Sequence, residues 1–464
     1  MLFNTAHFFL FLAVVLALFY ASPRAFRKYI LLVASYFFYG SWNYKFIPLL
    51  LTLTAIDYTA ARFMEKIPPG PRRKMVLILS LCANLGFLGF FKFYNFLGSN
   101  VAWVLDKPAN AFFLNIVLPL GISFHTFQSM SYVIDVYRGE QQVVRNPIDY
   151  AVFICFFPQL VAGPIVRART FFQDFYHWHP PTADDVSRGV LLLALGLTKK
   201  MAFADQFAKV ANGYFGNVQA NPGLLTAWSG VVAFGMQIYF DFSGYTDMAI
   251  GMAKLLGFHF PVNFRRPYLA SSITDFWRRW HISLSSWLRD YLYISLGGNR
   301  HGRWMTYRNL MLTMLLGGLW HGASWNFVIW GGYHGAMLSV ERFFRGDRKI
   351  REDWNWLYPF KAIVTFALAM IGWVFFRAAD LPQSLAIIKQ MFTGARGHLL
   401  LENWHLEMIG LALVLAILEE KFDWFERVLK APAWAYASAL ALMLFCVEVF
   451  GVIDASIPFV YFQF

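Results

Sequence analysis

The sequence predicts an all-α polytopic membrane protein, and three observations predict it. Hydrophobic residues make up 58% of the 464 positions, charged residues only 14%, and the mean hydropathy is +0.46, which no ordinary soluble domain matches. Apolar runs recur along the whole length, and a span needs about 20 residues, so the chain has room for roughly ten to thirteen transmembrane or re-entrant helices. The charges cluster between those runs, as expected where loops meet lipid headgroups.

The first run, Leu2 to Ala21, has no Lys or Arg before it and no small-x-small cleavage pattern after it; Ser22-Pro23-Arg24 reads as a stop-transfer flank, so the run is expected to be the first span. Further spans are expected near Lys28 to Tyr39, Phe46 to Met64, Met75 to Leu97, Ala111 to Val136, Ile148 to Val166 and Val186 to Phe203. The series continues near Leu224 to Leu256, Asn309 to Trp320, Asn326 to Phe343, Phe360 to Phe376, Leu406 to Leu418 and Trp434 to Val452. Leu118-Pro119-Leu120-Gly121 and Gly317-Gly318 are expected to interrupt their runs, which favours re-entrant or cavity-lining backbone there.

Arg24, Arg27 and Lys28 follow the first run, and Arg62, Lys66, Arg72, Arg73 and Lys74 follow the third, whereas the loop between them carries Lys45 alone. The positive-inside rule puts the first and third loops in the cytoplasm and the N-terminus on the periplasmic side. The same rule, with anionic membrane lipid, accounts for the net charge of +13, so nucleic acid is not a partner the sequence calls for. Cys82, Cys155 and Cys446 lie in apolar runs without CxxC spacing and read as packing residues, not a disulfide framework. The 11 histidines form no HxxxH or HExxH pattern, and His177-Trp178-His179 beside Pro180-Pro181 reads as a solvated loop, so no metal site is expected. No P-loop, dinucleotide fingerprint or GxSxG elbow is present, which removes nucleotide hydrolysis and serine hydrolase chemistry.

The densest signal is Asn263 to Arg303, with seven arginines (265, 266, 278, 279, 289, 300, 303) against Asp275 and Asp290. At 100° per residue Phe276, Trp277, Trp280, Leu284, Trp287, Leu288 and Tyr291 share one side of a helix, opposite Arg278, His281, Ser285 and Arg289. An interfacial helix with Trp anchors explains most of this pattern, but not a histidine centred among arginines. Neighbouring cations would keep His281 neutral and able to accept a proton, and the arginine row is also suited to an anionic, phosphate-bearing donor.

The run TDFWRRWHISLSSWLRDYLYISLGGNR followed by LLGGLWHGASWNFVIWGGYHG resembles the membrane-bound O-acyltransferase (MBOAT) family, in its bacterial alginate O-acetyltransferase branch. MQIYFDFSGYTDMAIGMAKLLGF (236–258), LPLGISFHTFQSMSYVIDVYRGE (118–140), FPQLVAGPIVR (157–167), GWVFFRAAD (372–380) and the terminal PFVYFQF fit the same branch, in order. The resemblance implies one transmembrane domain over 1–464, a ring of helices around a central tunnel. It further implies His321 as the catalytic histidine, His281 as the second, and a bacterial inner membrane location. The donor it implies is a cytoplasmic thioester, acetyl-CoA or an acyl carrier protein. The acceptors it implies are a periplasmic acetyltransferase partner and an extracytoplasmic polysaccharide, alginate-like, cellulose or peptidoglycan; carrier-dependent D-alanylation of teichoic acid stays open beside these. No cofactor is bound in that chemistry.

Acyl transfer to a hydroxyl needs a base, and His321 in its apolar run is the expected one. The Gly317-Gly318 break would offer N–H groups to the developing oxyanion, and Trp320 and Trp325 would shape the pocket. With no activated Ser or Cys evident, direct transfer is favoured over an acyl-enzyme. Asp241 and Asp247 in YFDFSGYTD are expected to face the tunnel or pair with arginine. Asp57, Asp135, His125 and His334 read as structural, the two histidines as hydrogen-bonded core residues, with a place lining the tunnel open to either histidine. A transporter is the reading outside this class, and the absence of an inverted repeat counts against it.

Overall fold

The computed structural model describes residues 1–160, 163–346, 354–452 and 457–463. Positions 161 and 162, inside both the expected span Ile148 to Val166 and the FPQLVAGPIVR motif, and Phe464 of the terminal motif lie outside the described residues. Among the described residues the secondary structure is helical throughout, with no strand. Four stretches are long and apolar enough to cross a membrane by length and composition, Arg24–Lys66, Pro71–Val104, Tyr358–Arg377 and Ala433–Phe450. No residue of Ala433–Phe450 is fully buried in protein, so much of its apolar surface faces outward, as a lipid-facing helix would. Leu224–Leu255 is the longest helix, 32 residues, but carries Asp241, Asp247 and Lys254.

The chain folds as two compact units, Met1–Gly189 with Ala249–Pro261, and Val190–Met248 with Val262–Phe464. In the first unit, Asp57 is buried among helices and accepts hydrogen bonds from Ser80 Oγ (2.5 Å) and Asn84 Nδ2 (2.8 Å), the structural role expected for it. His125 is buried too, but neither ring nitrogen finds a hydrogen-bond partner among the described residues, contrary to expectation. The solvated reading of His177 and His179 holds, since both are exposed.

Two expected spans are shorter than the apolar runs that suggested them. The run from Ala111 is helical only over Ile122–Arg138, because Pro119 and Gly121, whose φ is +71°, end the preceding turns; the Asn95 side chain there satisfies both backbone groups of Leu114 at 2.9 Å. The run from Ile148 breaks after Pro147–Cys155, since Pro158 cannot supply an N–H to a continuing helix. The Phe157 N–H donates to Ser35 Oγ (3.1 Å), and the Phe153 carbonyl accepts from Gln128 (2.8 Å) and Gln159 (2.7 Å), so side chains satisfy the freed backbone as lipid-depth irregularity requires.

In the second unit Gly302–His321 and Trp325–Arg345 form a helical hairpin whose backbones pack closely. The expected interruption at Gly317-Gly318 does not occur, and the helix runs through to His321. Gly318 answers a packing demand instead: a Cβ on it would lie 2.2 Å from the Phe327 carbonyl oxygen, as one on the facing Gly331 would lie 2.2 Å from that of Met314, while one on Gly317 would meet Leu288 Cδ1 at 3.1 Å. With their N–H groups inside a continuous helix, Gly317 and Gly318 are not the exposed oxyanion donors the sequence suggested.

Candidate functional site

His321 is the last residue of its helix, 6% exposed. Gly322 follows because a Cβ there would sit 2.0 Å from the Phe327 ring, and Ser324 caps the next helix by accepting from Asn326 N (3.2 Å). Asn326 Nδ2 in turn donates to the Ala378 carbonyl (3.0 Å), tying the turn to the end of Tyr358–Arg377. Sequence thereby fixes where the imidazole stands: a helix end, a glycine pressed against the Phe327 ring, and a capped restart.

His281 stands at a second break. The segment expected to be one amphipathic helix is two, Ile273–Arg279 and Ile282–Trp287, followed by a π-helical turn, Leu288–Tyr293. Between them His281 adopts φ +42°, ψ +56°, a left-handed conformation that costs a non-glycine residue about 1–3 kcal/mol and persists only where its surroundings impose it. The buried Asn263 imposes it: its carbonyl accepts from Ile282 N (2.9 Å), and its Oδ1 from Ser283 N (3.1 Å) and Ser283 Oγ (2.9 Å). Ser285, expected at the donor, binds the same break, with its N–H on the His281 carbonyl (3.0 Å) and its Oγ on that of Trp280 (3.2 Å).

The break overturns the expected arginine row around His281. Arg278 and Arg289 are exposed, and Arg289 pairs with Asp290 at 2.7 Å. The buried guanidinium is that of Arg279, held by Asp275 and Glu420, each at 2.9 Å, with Arg266 also on Glu420. What surrounds His281 is aromatic: Phe242 at 4.7 Å between centroids, Phe264 at 6.4 Å and Trp320 at 6.5 Å.

Trp320 also packs on His321 (4.9 Å), which touches Trp330 (5.1 Å) and Phe376 (5.2 Å) as well. Trp320 thus packs on both histidines, whereas Trp325 is 56% exposed. The ring that completes the cage was not singled out in the sequence: Tyr461 lies 5.7 Å from His321 and 6.5 Å from His281, and its buried hydroxyl has no hydrogen-bond partner among the described residues. His334 accepts from Trp277 Nε1 (3.3 Å) and is the hydrogen-bonded core residue expected.

Asp241 and Asp247 pair with lysines, not arginines. Asp247 contacts Lys199 at 2.6 Å, and Asp241 contacts Lys200 at 3.0 Å, with Asp205 on the same ammonium at 2.7 Å. Lys200 sits in a π-helical turn, Lys199–Ala204, and is wholly buried. Two adjacent lysines inside an apolar run were a readable signal of such a pair.

An aromatic cage holding two histidines and a phenol has the groups that can move a proton to or from a hydroxyl away from water. The membrane-bound O-acyltransferase family model matches residues 75–378, a range that contains both histidines. The chain is 41% identical over 486 aligned residues, 98% of each protein, to the probable alginate O-acetylase of Pseudomonas putida. It is 44% identical over 390 residues, 83% of this chain and 76% of the relative, to that of Azotobacter vinelandii. Against the peptidoglycan O-acetyltransferase of Helicobacter pylori it is 38% identical over 400 residues, 80% of this chain and 75% of the relative. The chain belongs to the membrane-bound O-acyltransferase family, as its motifs suggested, and is a membrane O-acyltransferase.

Proposed function

We propose that this protein takes an acetyl group from a cytoplasmic thioester, acetyl-CoA, and delivers it for O-acetylation of an extracytoplasmic, alginate-like polysaccharide through a periplasmic acetyltransferase partner. The observation that carries the reading is the cage: His321, His281 and the Tyr461 hydroxyl together in a chain of this family. The more similar relatives named above support acetyl as the group, and two of the three support alginate over peptidoglycan as the polymer.

The buried Tyr461 hydroxyl supports a covalent route that the sequence alone did not suggest. In the proposed first step His321 takes the Tyr461 phenolic proton, the oxygen attacks the thioester carbonyl, the carbon–sulfur bond breaks, and the proton passes to the departing thiolate. The products are an acetyl-tyrosine ester and a free thiol. In the second step a hydroxyl of the acceptor attacks that ester and restores the phenol. The order is favourable, because a phenol ionises near pH 10 and a sugar hydroxyl far less readily, so the phenyl ester is a better acyl donor than the alkyl ester it yields.

Detergent-purified full-length protein incubated with radiolabelled acetyl-CoA, and separately with labelled acetylated carrier protein, tests the donor. Label captured from acetyl-CoA is the expected outcome. Capture from the carrier alone assigns the carrier-dependent reading, and capture from neither would return the transporter reading. The orientation belongs to the same proposal: an inner-membrane protein with a periplasmic N-terminus and the basic segment around Arg300 and Arg303, both exposed, facing the cytoplasm. Cysteines placed at those two positions in a cysteine-free background should react with an impermeant maleimide only in opened cells; labelling of intact cells overturns the direction of transfer.

A further inference from the structure

The residues that bring Tyr461 to the histidines come from elsewhere in the second unit. The terminal segment enters as Ile457 and Pro458, turns through Val460–Gln463, and presents Tyr461 to the cage. Three contacts fix it. The Val460 N–H donates to Asp241 Oδ2 at 2.7 Å, the Ile457 carbonyl accepts from Lys200 Nζ at 3.1 Å, and the Phe459 ring lies 4.4 Å from Tyr245 and 5.7 Å from Phe242. Asp241 and Lys200 are at most 1% exposed, as is Tyr245.

A buried ion pair is poor evidence for stability, since an apolar pair of similar volume often serves as well. Here each partner of the pair spends one bond on the same backbone segment, the carboxylate on a donor and the ammonium on an acceptor three residues earlier. Asp205 supplies the second anion on Lys200, so the ammonium stays compensated while Asp241 reaches outward. The Phe242 ring next to Asp241 packs on both His281 (4.7 Å) and Tyr461 (4.4 Å), which puts the clamp and the cage one residue apart on the same helix.

We infer that Asp241 and Lys200 are positioning residues that clamp the terminal segment and set Tyr461 against His321 and His281, without contacting donor or acceptor themselves. The inference rests on the proposed role of Tyr461. Because the clamp acts through Tyr461, loosening it should lower kcat and leave KM for acetyl-CoA within about twofold, the signature of a group that fixes the reacting geometry and not the donor.

Val460→Pro is the sharpest test. It deletes the N–H that Asp241 accepts, leaves all three buried charges in place, and puts proline at the first position of a helical turn, where it is tolerated. In the full-length protein, amide exchange of residues 457–463 should accelerate at least tenfold while that of Gly302–His321 is unchanged, and kcat should fall at least tenfold. Asp241→Asn, which keeps an acceptor for Val460, should retain most of the protection and activity that Asp241→Ala loses. Terminal amides still protected in both Val460→Pro and Asp241→Ala overturn the inference, as does a KM-only effect. Failure of the Tyr461 chemistry looks different: Tyr461→Phe would then stay active while the exchange results stand.

Discussion

His321→Ala should fold, insert and purify as the wild type does, yet lose acetyl transfer by at least about two orders of magnitude, the usual scale when a general base is removed. The expectation follows from the surroundings of the ring. It ends a helix that is otherwise complete, so truncation breaks no backbone hydrogen bond; of its neighbours, Phe376 still packs on Trp330 (5.3 Å) and Tyr461 (6.1 Å), and Trp320 stays against His281 (6.5 Å). The loss should appear in kcat, with donor binding retained, because none of those contacts involves a cation suited to a phosphate. Thermal unfolding in detergent separates the two causes of inactivity. A variant with an unchanged midpoint and near-normal transfer would remove His321 from the chemistry, and the base would then have to be His281, 6.5 Å from the same tryptophan and the same phenol.

Much of this site was legible because lipid imposes simple rules. Apolar run length located most helices, and a histidine within such a run is expensive enough to mark itself, so His321 stood out from sequence alone, while His281 stood out as a histidine among arginines. What was illegible depended on partners far along the chain. Helical periodicity put His281 in a row with Arg278 and Arg289, yet Asn263 bends the backbone at His281 and turns both arginines to the surface. Counting charges within 263–303 missed Glu420, which neutralises Arg279 from about 140 positions away. Gly317 and Gly318 looked like a break because glycine both breaks helices and lets them touch, and only the neighbours, Leu288 at Gly317 and Gly331 with Phe327 at Gly318, decide which. Tyr461 was hidden for the opposite reason: one tyrosine in an aromatic terminal run looks like packing until its hydroxyl is found buried beside two imidazoles.

Tyr461→Phe is the change that separates the two routes an acyl group can take here. It removes a single oxygen and keeps the ring that packs on Phe242, Phe459 and both histidines, so the cage should survive with its geometry intact. If the phenol is the first acceptor, the variant should lose transfer by at least about two orders of magnitude, as loss of a nucleophile requires. The wild type, given labelled acetyl-CoA and no acceptor, should retain label through denaturation as an ester released by hydroxylamine, and peptide mass mapping should place the added acetyl on the terminal peptide. His321→Ala should fail to acquire that label even though its phenol is present, because without the base the proton at Tyr461 has nowhere to go. Direct transfer from thioester to polysaccharide predicts the reverse: Tyr461→Phe nearly as active as wild type, and no acid-stable label on the protein at any time. Only the covalent route makes both histidine and tyrosine necessary for the same trapped ester.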